Sequence, residues 1–163
     1  MMDKKCPIPN DQRPLIEYID LKNSFEFNWT TQKTSSFFKT LILIFLIINL
    51  ILALILNTHP NDPLSEFLLR VDISSTLILV FLILRFYLAW KYVYNRLNLA
   101  TINYEESGWY DGQTWIKTTE TLLQDRLLVT YEVLPIIKRL EFSLLTIFCL
   151  FLVKIYIYIQ IIK

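Results

Sequence analysis

Three long apolar runs constrain the fold of this chain more than any other feature. They cover Thr40–Leu56, Ile73–Trp90 and Phe142–Ile162. At about 1.5 Å of rise per residue, each run extends roughly 25–31 Å as a helix, close to the ~30 Å hydrocarbon core of a bilayer. Three such runs in a chain of 163 residues, of which 54% are hydrophobic, do not fit a soluble core. The sequence therefore predicts an all-α membrane protein with three transmembrane helices.

The lysines and arginines outside the runs predict the orientation. A tail at 1–39 and a soluble loop at 91–141 carry most of them, whereas the other two connecting or terminal segments of the membrane domain at 40–162 carry one each. Positive residues near the spans favour the cytoplasm-equivalent side. We therefore expect the tail and the large loop on that side and the C-terminus on the opposite side. The cations that decide this are Lys4, Lys5, Arg13, Lys22, Lys33 and Lys39 in the tail, Lys91, Arg96, Lys117, Arg126, Lys138 and Arg139 in the loop, and Arg70 and Lys163 opposite.

The loop at 91–141 has the clearest local pattern. Both glycines of the chain fall in the turn Gly108–Gly112, between β-prone segments, which predicts a short two-stranded hairpin. Thr118 or Thr119 can cap a following helix, whose apolar and polar arcs favour a position at the membrane interface. Pro135 removes an intrahelical hydrogen bond, so we expect a kink or break before the third span.

Arg126 lies in the middle of the apolar arc of that helix, where a charge needs a partner. The available acids are in the hairpin: Glu105, Glu106 and Asp111. We predict that Arg126 pairs with one of them and holds the hairpin to the helix. The alternative is a role in docking a ligand or partner, together with the hairpin aromatics Trp109, Tyr110 and Trp115.

Polar residues inside the spans are a second set of candidates. No Asp or Glu lies within the three runs, so Arg85 and Lys154 are predicted to have no carboxylate partner at membrane depth. Arg85 is five residues from Trp90 and is expected to extend to the headgroups. Lys154 is deeper and is expected at a depth similar to that of Asn49. The alternatives are that Lys154 reaches the opposite headgroups, or that it meets an acidic group on a partner subunit or a pigment.

The N-terminal tail predicts an extended, proline-rich start and then a short amphipathic helix with Leu15, Ile16, Ile19 and Phe25 on its apolar face. Cys6 is a candidate reactive thiol or soft metal ligand, although no second ligand is near it in sequence.

Catalytic chemistry has little support in the sequence. His59 is the only histidine, so HExxH and paired ExxH metal motifs cannot form, and two glycines cannot build a dinucleotide or phosphate loop. A net charge of +1 gives no general attraction to nucleic acid. We expect no enzymatic activity, no resident cofactor and no nucleic-acid partner, but contact with membrane lipids.

Three stretches carry a family resemblance: Cys6-Pro-Ile-Pro9 with Gln12-Arg-Pro14 and Glu17-Tyr18, then Tyr104-Glu-Glu-Ser-Gly-Trp-Tyr-Asp-Gly-Gln113 with Trp115, then Asp125-Arg-Leu-Leu with Tyr131-Glu-Val and Pro135. Together they resemble the hypothetical chloroplast open reading frame 36 family of algal plastid genomes, cyanobacteria and, as nuclear-encoded relatives, plants. The resemblance implies a chloroplast membrane, most simply the thylakoid, with the tail and large loop in the stroma and the C-terminus in the lumen. It also agrees with the lack of a targeting peptide if the gene is plastid-borne. It implies no chemistry.

Two functional hypotheses follow. The first is a non-enzymatic auxiliary, assembly or maintenance factor that docks on a photosynthetic membrane complex through the large loop and the intramembrane cations. The alternative is a small membrane module that binds a cofactor, a metal such as iron or a pigment, through Cys6 or the aromatic hairpin. An enzyme is the third and weakest reading.

Overall fold

The computed structural model describes residues 8–9, 12–56, 63–104 and 112–162, and helices dominate it. In chain order the elements are α1 (Pro14–Asn23), α2 (Asn28–Thr31), α3 (Thr34–Leu56), α4 (Leu64–Asn98), β1 (Thr101–Tyr104), β2 (Gln113–Ile116), α5 (Thr119–Leu128), a π-helical turn (Val129–Val133) and α6 (Leu134–Ile162).

Three helical stretches are long and apolar enough to cross a membrane. They are Thr34–Leu56, Leu64–Asn98 and Thr119–Ile161, with mean hydropathies of 2.8, 2.2 and 2.2 over their most apolar windows. The first two contain the first two apolar runs and the third covers its run to within one residue, so the prediction of three long apolar helices is confirmed. The helices extend past the runs because polar residues at their ends still form helical hydrogen bonds without adding to the apolar length.

The predicted hairpin is confirmed. Strands β1 and β2 pair antiparallel, with Ile102 opposite Trp115 and Tyr104 opposite Gln113. Ile102 and Tyr104 alternate with Thr101 and Asn103, so the strand buries one face and exposes the other. A two-stranded ribbon is marginal by itself and needs a packing partner.

The helix after the hairpin begins as predicted but does not end as predicted. Thr118 is its cap, and its hydroxyl accepts a hydrogen bond from the Thr121 amide at 3.4 Å. We expected Pro135 to kink or break this helix before the third span, and the break is wrong, whereas the kink and the interfacial position stay predictions. The π-helical turn Val129–Val133 precedes Pro135, and helical backbone runs from Thr119 to Ile161. The wider turn gives an explanation, because a π-helical bulge shifts the hydrogen-bond register where proline cannot donate.

The described chain forms two compact units. One comprises Met1–Asn28 and Leu88–Ile137, and we call it the loop unit. The other comprises Trp29–Tyr87 and Lys138–Lys163, and we call it the span unit. Trp90, Leu97 and Val133 are fully buried in the loop unit. In the span unit Phe37 is fully buried, and its ring stacks on Trp29 with centroids 5.0 Å apart.

The short N-terminal helix is present as α1, and its buried Tyr18 is not one of the apolar residues predicted for its face. Leu15 and Ile19 are exposed, and Phe25 lies beyond the helix with 98% of its surface exposed. Tyr18 is buried instead, because its ring packs edge-on against Trp90 with centroids 6.1 Å apart. An amphipathic pattern of apolar residues missed this contact, since the buried residue carries a hydroxyl.

Candidate functional site

Among the described residues of the loop unit, Arg96, Lys117 and Glu132 each form polar contacts with distant parts of the chain. We call the contacts around them the polar network. It joins the N-terminal segment, the end of α4, the hairpin and the π-helical turn. Several members come from the stretches that carry the family resemblance, although the sequence did not predict the pairs that they form.

Arg96 lies in the last turn of α4 and holds the N-terminal segment. Its Nη1 forms an ion pair with the Glu17 carboxylate and donates to the Tyr92 hydroxyl at 3.1 Å, and its Nη2 donates to the Gln12 carbonyl at 3.0 Å. About four fifths of each charged side chain in the ion pair is buried. Burial raises the pKa of Glu17 above its usual value, and the nearby Arg96 opposes that rise. Forming this ion pair therefore costs desolvation free energy that a solvent-exposed ion pair does not lose.

Lys117 closes the C-terminal end of α4. It follows β2 directly, and its side chain is only 1% exposed. Its ammonium donates to the Leu97 carbonyl at 2.9 Å, to the Arg96 carbonyl at 3.2 Å and to the Asp125 carboxylate at 2.6 Å. The last carbonyls of a helix have no hydrogen-bond partner within the helix, and they form its negative end. A lysine there supplies both a hydrogen-bond donor and a positive charge. One side chain thus ties the hairpin to α4 and α5.

Glu132 in the π-helical turn holds α1. Its carboxylate accepts hydrogen bonds from the Tyr18 hydroxyl and from the Lys22 ammonium, the latter at 2.6 Å. Burial raises the pKa of Tyr18, and the hydrogen bond to Glu132 raises it further, so Tyr18 stays a neutral donor. A π-helical turn changes the direction of the side chains on it, which here lets Glu132 meet both donors on α1.

A small hydrophobic cluster supports the hairpin. Ile8, Ile102 and Tyr104 are buried together, with Trp115 packed against them. The Arg13 Nε donates to the Ile8 carbonyl at 3.0 Å and fixes the N-terminal segment over the cluster. Trp115, predicted as a docking or ligand residue, thus contributes to packing.

A cavity of about 630 Å³ adjoins the polar network in the loop unit. Its described walls come from Gln12, the end of α4, β1 and Gly112, and they include Tyr92, Arg96 and Asn103. This volume is within the usual range for a small-molecule site. The lining mixes hydroxyl, amide and aromatic groups.

In the span unit, the prediction that Lys154 has no carboxylate partner is wrong. Its ammonium lies 2.9 Å and 2.8 Å from the two Asp72 carboxylate oxygens, and it donates to the Thr76 hydroxyl at 2.9 Å. Asp72 is the residue immediately before the second apolar run, so it lies one position outside the stretch in which a partner was expected to be absent. Lys154 also lies 5.1 Å from the centre of the Phe45 ring, so it contacts both other long helices of this unit.

The other predicted span residues occupy simpler positions. The Asn49 amide donates to the Phe45 carbonyl one turn earlier, at 2.9 Å. Arg85 is exposed on α4. Neither result tests the functional role that we considered for these residues.

Several of the predicted site residues are not described by the structure. Cys6, Glu105, Glu106, Trp109, Tyr110 and Asp111 lie outside the described residues. Arg126 is exposed on α5, and its predicted ion pair with a hairpin acid stays a prediction. Within the described ranges, no group of three or more His, Cys, Asp or Glu side chains is placed to hold a metal ion.

These features define a class of protein: a mainly helical chain with three apolar helices of membrane-spanning length and a small hairpin fixed by internal ion pairs. Within that class, the chain belongs to the CGLD27-like family, described as conserved in the green lineage and diatoms 27, whose family model matches residues 6–146. This confirms the resemblance found in the sequence, because relatives carry the abbreviated name of open reading frame 36.

The relatives come from several plastid lineages. The uncharacterized protein ycf36 of Cyanophora paradoxa is 45% identical over 144 residues, covering 85% of this chain and 89% of the relative. The protein of the same name from Pyropia yezoensis is 42% identical and covers 88% of each chain. A chloroplastic protein of Arabidopsis thaliana, Conserved in the Green Lineage and Diatoms 27, is 40% identical over 85% of this chain but only 43% of its own length. The family is thus one of chloroplast proteins. No solved structure matches this chain.

Proposed function

We propose that this protein is an integral membrane protein of the photosynthetic membrane and serves as a non-enzymatic auxiliary or assembly factor for a larger membrane complex. The observation that carries the proposal is the low burial of the apolar helices. Only 6% of the most apolar window of α3 is buried, and for the stretch Thr119–Ile161 the figure is 11%. Surfaces this apolar need a bilayer or another protein around them.

The polar network supports a docking role over a turnover role. Each of its three central charged residues already has a partner of opposite charge: Arg96 with Glu17, Lys117 with Asp125, and Glu132 with Lys22. Catalytic groups usually keep reactive atoms available to a substrate, whereas these groups hold segments of the chain together. A fixed surface made in this way suits recognition of a partner.

The proposed topology places the N-terminus and residues 91–141 in the stroma and the C-terminus in the thylakoid lumen. It rests on the asymmetry of lysine and arginine described above. The test is labelling with a membrane-impermeant thiol reagent in a Cys6→Ser, Cys149→Ser background. Asn61→Cys should label only from the lumenal side and Gln124→Cys only from the stromal side. The reverse pattern would overturn the topology.

The functional test is affinity purification of tagged protein from plastid membranes in mild detergent, followed by quantitative mass spectrometry. The proposal predicts substoichiometric recovery with the subunits of one photosynthetic complex. A protein recovered without any such subunits, under conditions that keep known complexes intact, would contradict it.

A second candidate, a small cofactor-, metal- or pigment-binding module, is favoured by one observation, the cavity of about 630 Å³ in the loop unit. An absorption spectrum and metal analysis of the same purified protein test it. A stoichiometric chromophore or metal, lost when a lining residue such as Asn103 is changed, would favour this candidate over an assembly factor.

A further inference from the structure

We propose that the cavity of the loop unit binds a neutral sugar group, presented by the headgroup of a membrane glycolipid. The charge of the cavity, its hydrogen-bonding groups and its place along α4 all favour such a ligand. The lipid source rests on the proposed membrane insertion, whereas the sugar class rests on the lining alone.

The described part of the cavity wall carries balanced charge. Arg96 is the only lysine, arginine, aspartate or glutamate among its described lining residues. The ion pair with Glu17 neutralises it, and its Nη2 is engaged by the Gln12 carbonyl. An anionic ligand would have to compete with Glu17 for the guanidinium and would approach a carboxylate. The described lining therefore favours a ligand without net charge.

The remaining lining groups suit hydroxyls. Thr101 and Asn103 are exposed on the open face of β1 and offer a hydroxyl and an amide, which both donate and accept hydrogen bonds. Tyr92 is 56% exposed at the wall and adds an aromatic ring with a polar tip. A sugar ring presents many hydroxyls together with apolar C–H faces, and this combination matches amide, hydroxyl and aromatic groups arranged around one space.

The place of the cavity along the chain favours a lipid source. Tyr92 and Arg96 follow Trp90, the last residue of the second apolar run, by two and six positions on the same helix. At about 1.5 Å per residue they lie roughly 3 and 9 Å beyond the end of that run, a depth that lipid headgroups occupy in an inserted helix. Aromatic residues such as Trp90 and Tyr92 are typical of this boundary.

The test measures which lipid the intact protein retains. Full-length protein is reconstituted in phosphatidylcholine nanodiscs that contain a diglycosyl diacylglycerol or, in a parallel sample, phosphatidylglycerol. It is then released with a detergent that has no sugar headgroup, and native mass spectrometry counts the bound lipids. We expect selective retention of the glycolipid. Equal or stronger retention of phosphatidylglycerol would overturn the proposal, because it would show selection for an anion.

Matched variants locate the retained lipid. Asn103→Ala and Tyr92→Ala should lower glycolipid retention about two- to tenfold, the range that loss of one hydrogen bond gives. Thr114→Ala is the control on the paired strand, and Tyr94→Ala is the control on the same helix, since neither residue lines the cavity. Equal losses in variants and controls, or no loss in either, would overturn the site.

Two further experiments distinguish a lipid-borne sugar from a free sugar and test membrane insertion independently of sugar binding. Saturation-transfer NMR with methyl glycosides tests free sugar, and binding there that depends on Asn103 keeps the site but assigns a soluble ligand. If neither free sugar nor glycolipid binds, the proposal is wrong. Carbonate extraction of plastid membranes tests insertion separately, so a protein that stays in the membrane yet shows no sugar selectivity refutes the site without refuting the proposed function.

Discussion

Lys154 and Asp72 form an ion pair between two of the long apolar helices, with the Lys154 ammonium 2.8 Å and 2.9 Å from the two carboxylate oxygens. The Thr76 hydroxyl completes the contact and in turn donates to the Asp72 carbonyl at 2.6 Å. In a bilayer a paired lysine is far less costly than an isolated one. The pair therefore accounts for a cation that the sequence left without a partner.

The first prediction concerns this pair. Asp72→Ala should lower the thermal stability of the purified protein, because it leaves Lys154 without its counter-charge. The expected loss is about 1–3 kcal/mol, below the value for a fully buried pair, since both side chains are partly exposed. The double variant Asp72→Ala, Lys154→Met should be more stable than Asp72→Ala alone.

The control for that experiment is Lys138→Met, an exposed lysine on the same helix α6. It should change the melting temperature little. A double variant that is as unstable as the sum of its single variants would show that the two charges are not coupled.

The second prediction concerns the polar network at the end of α4. Lys117→Met keeps the length of the side chain but removes the donor to two helix-terminal carbonyls and to Asp125. We expect a loss of about 1–3 kcal/mol and faster amide exchange in β1, β2 and the last turn of α4. Hydrogen-exchange mass spectrometry measures both strands. Lys91→Met on α4 is the control, because Lys91 is outside the polar network. Equal effects of Lys117→Met and Lys91→Met would contradict the role given to Lys117.

The third prediction concerns α1 and the π-helical turn. Glu132→Gln removes the ion pair with Lys22, and Tyr18→Phe removes the phenol donor. Each change should expose α1 to limited proteolysis. The loss of unfolding free energy in the double variant should be smaller than the sum of the two single losses, by a coupling energy of about 0.5–3 kcal/mol. Strictly additive effects would show that Tyr18 and Glu132 act independently.

The fourth prediction keeps the proposed hairpin contact of Arg126. Arg126→Ala should loosen the hairpin turn and increase protease cleavage within 109–115. Gln124→Ala, another exposed residue of α5, serves as the control. Unchanged protection would leave Lys117 and Asp125 as the main link between hairpin and α5.

The parts of this fold that local sequence controls could be predicted. A glycine-containing turn between β-prone segments gave the hairpin, a threonine before an acidic first turn gave the cap at Thr118, and hydropathy gave the three long helices. The predicted break at Pro135 was wrong because a local rule for proline does not include the compensation that a π-helical turn provides.

The pairs of the candidate site could not be predicted because they join distant segments. Lys117 pairs with Asp125, which a sequence search can consider, but its other acceptors are backbone carbonyls of α4 that depend on where that helix ends. Tyr18 and Glu132 are 114 residues apart. Asp72 lies one residue before the apolar run, where hydropathy alone does not indicate a partner for Lys154.

The fifth prediction asks whether α3, whose most apolar window is only 6% buried, meets a partner helix or lipid, and it uses matched triple variants. Leu43→Ala, Leu46→Ala and Leu50→Ala shorten exposed side chains on α3, and Leu145→Ala, Leu150→Ala and Leu152→Ala do so on α6. If α3 meets a partner helix, the first set should lower partner recovery at least about fivefold, a loss of roughly 1 kcal/mol, while the second set should change it little. If both sets leave partner recovery as high as in the unsubstituted protein, α3 contacts lipid alone.

Pulse–chase labelling combined with affinity purification of the tagged protein from plastid membranes tests the proposed assembly role. A transient factor should recover newly made subunits of one photosynthetic complex soon after the pulse and lose them during the chase, while the mature complex is not retained. Constant recovery of the mature complex throughout the chase, or recovery of this protein with no complex subunit at any time, would contradict an assembly role.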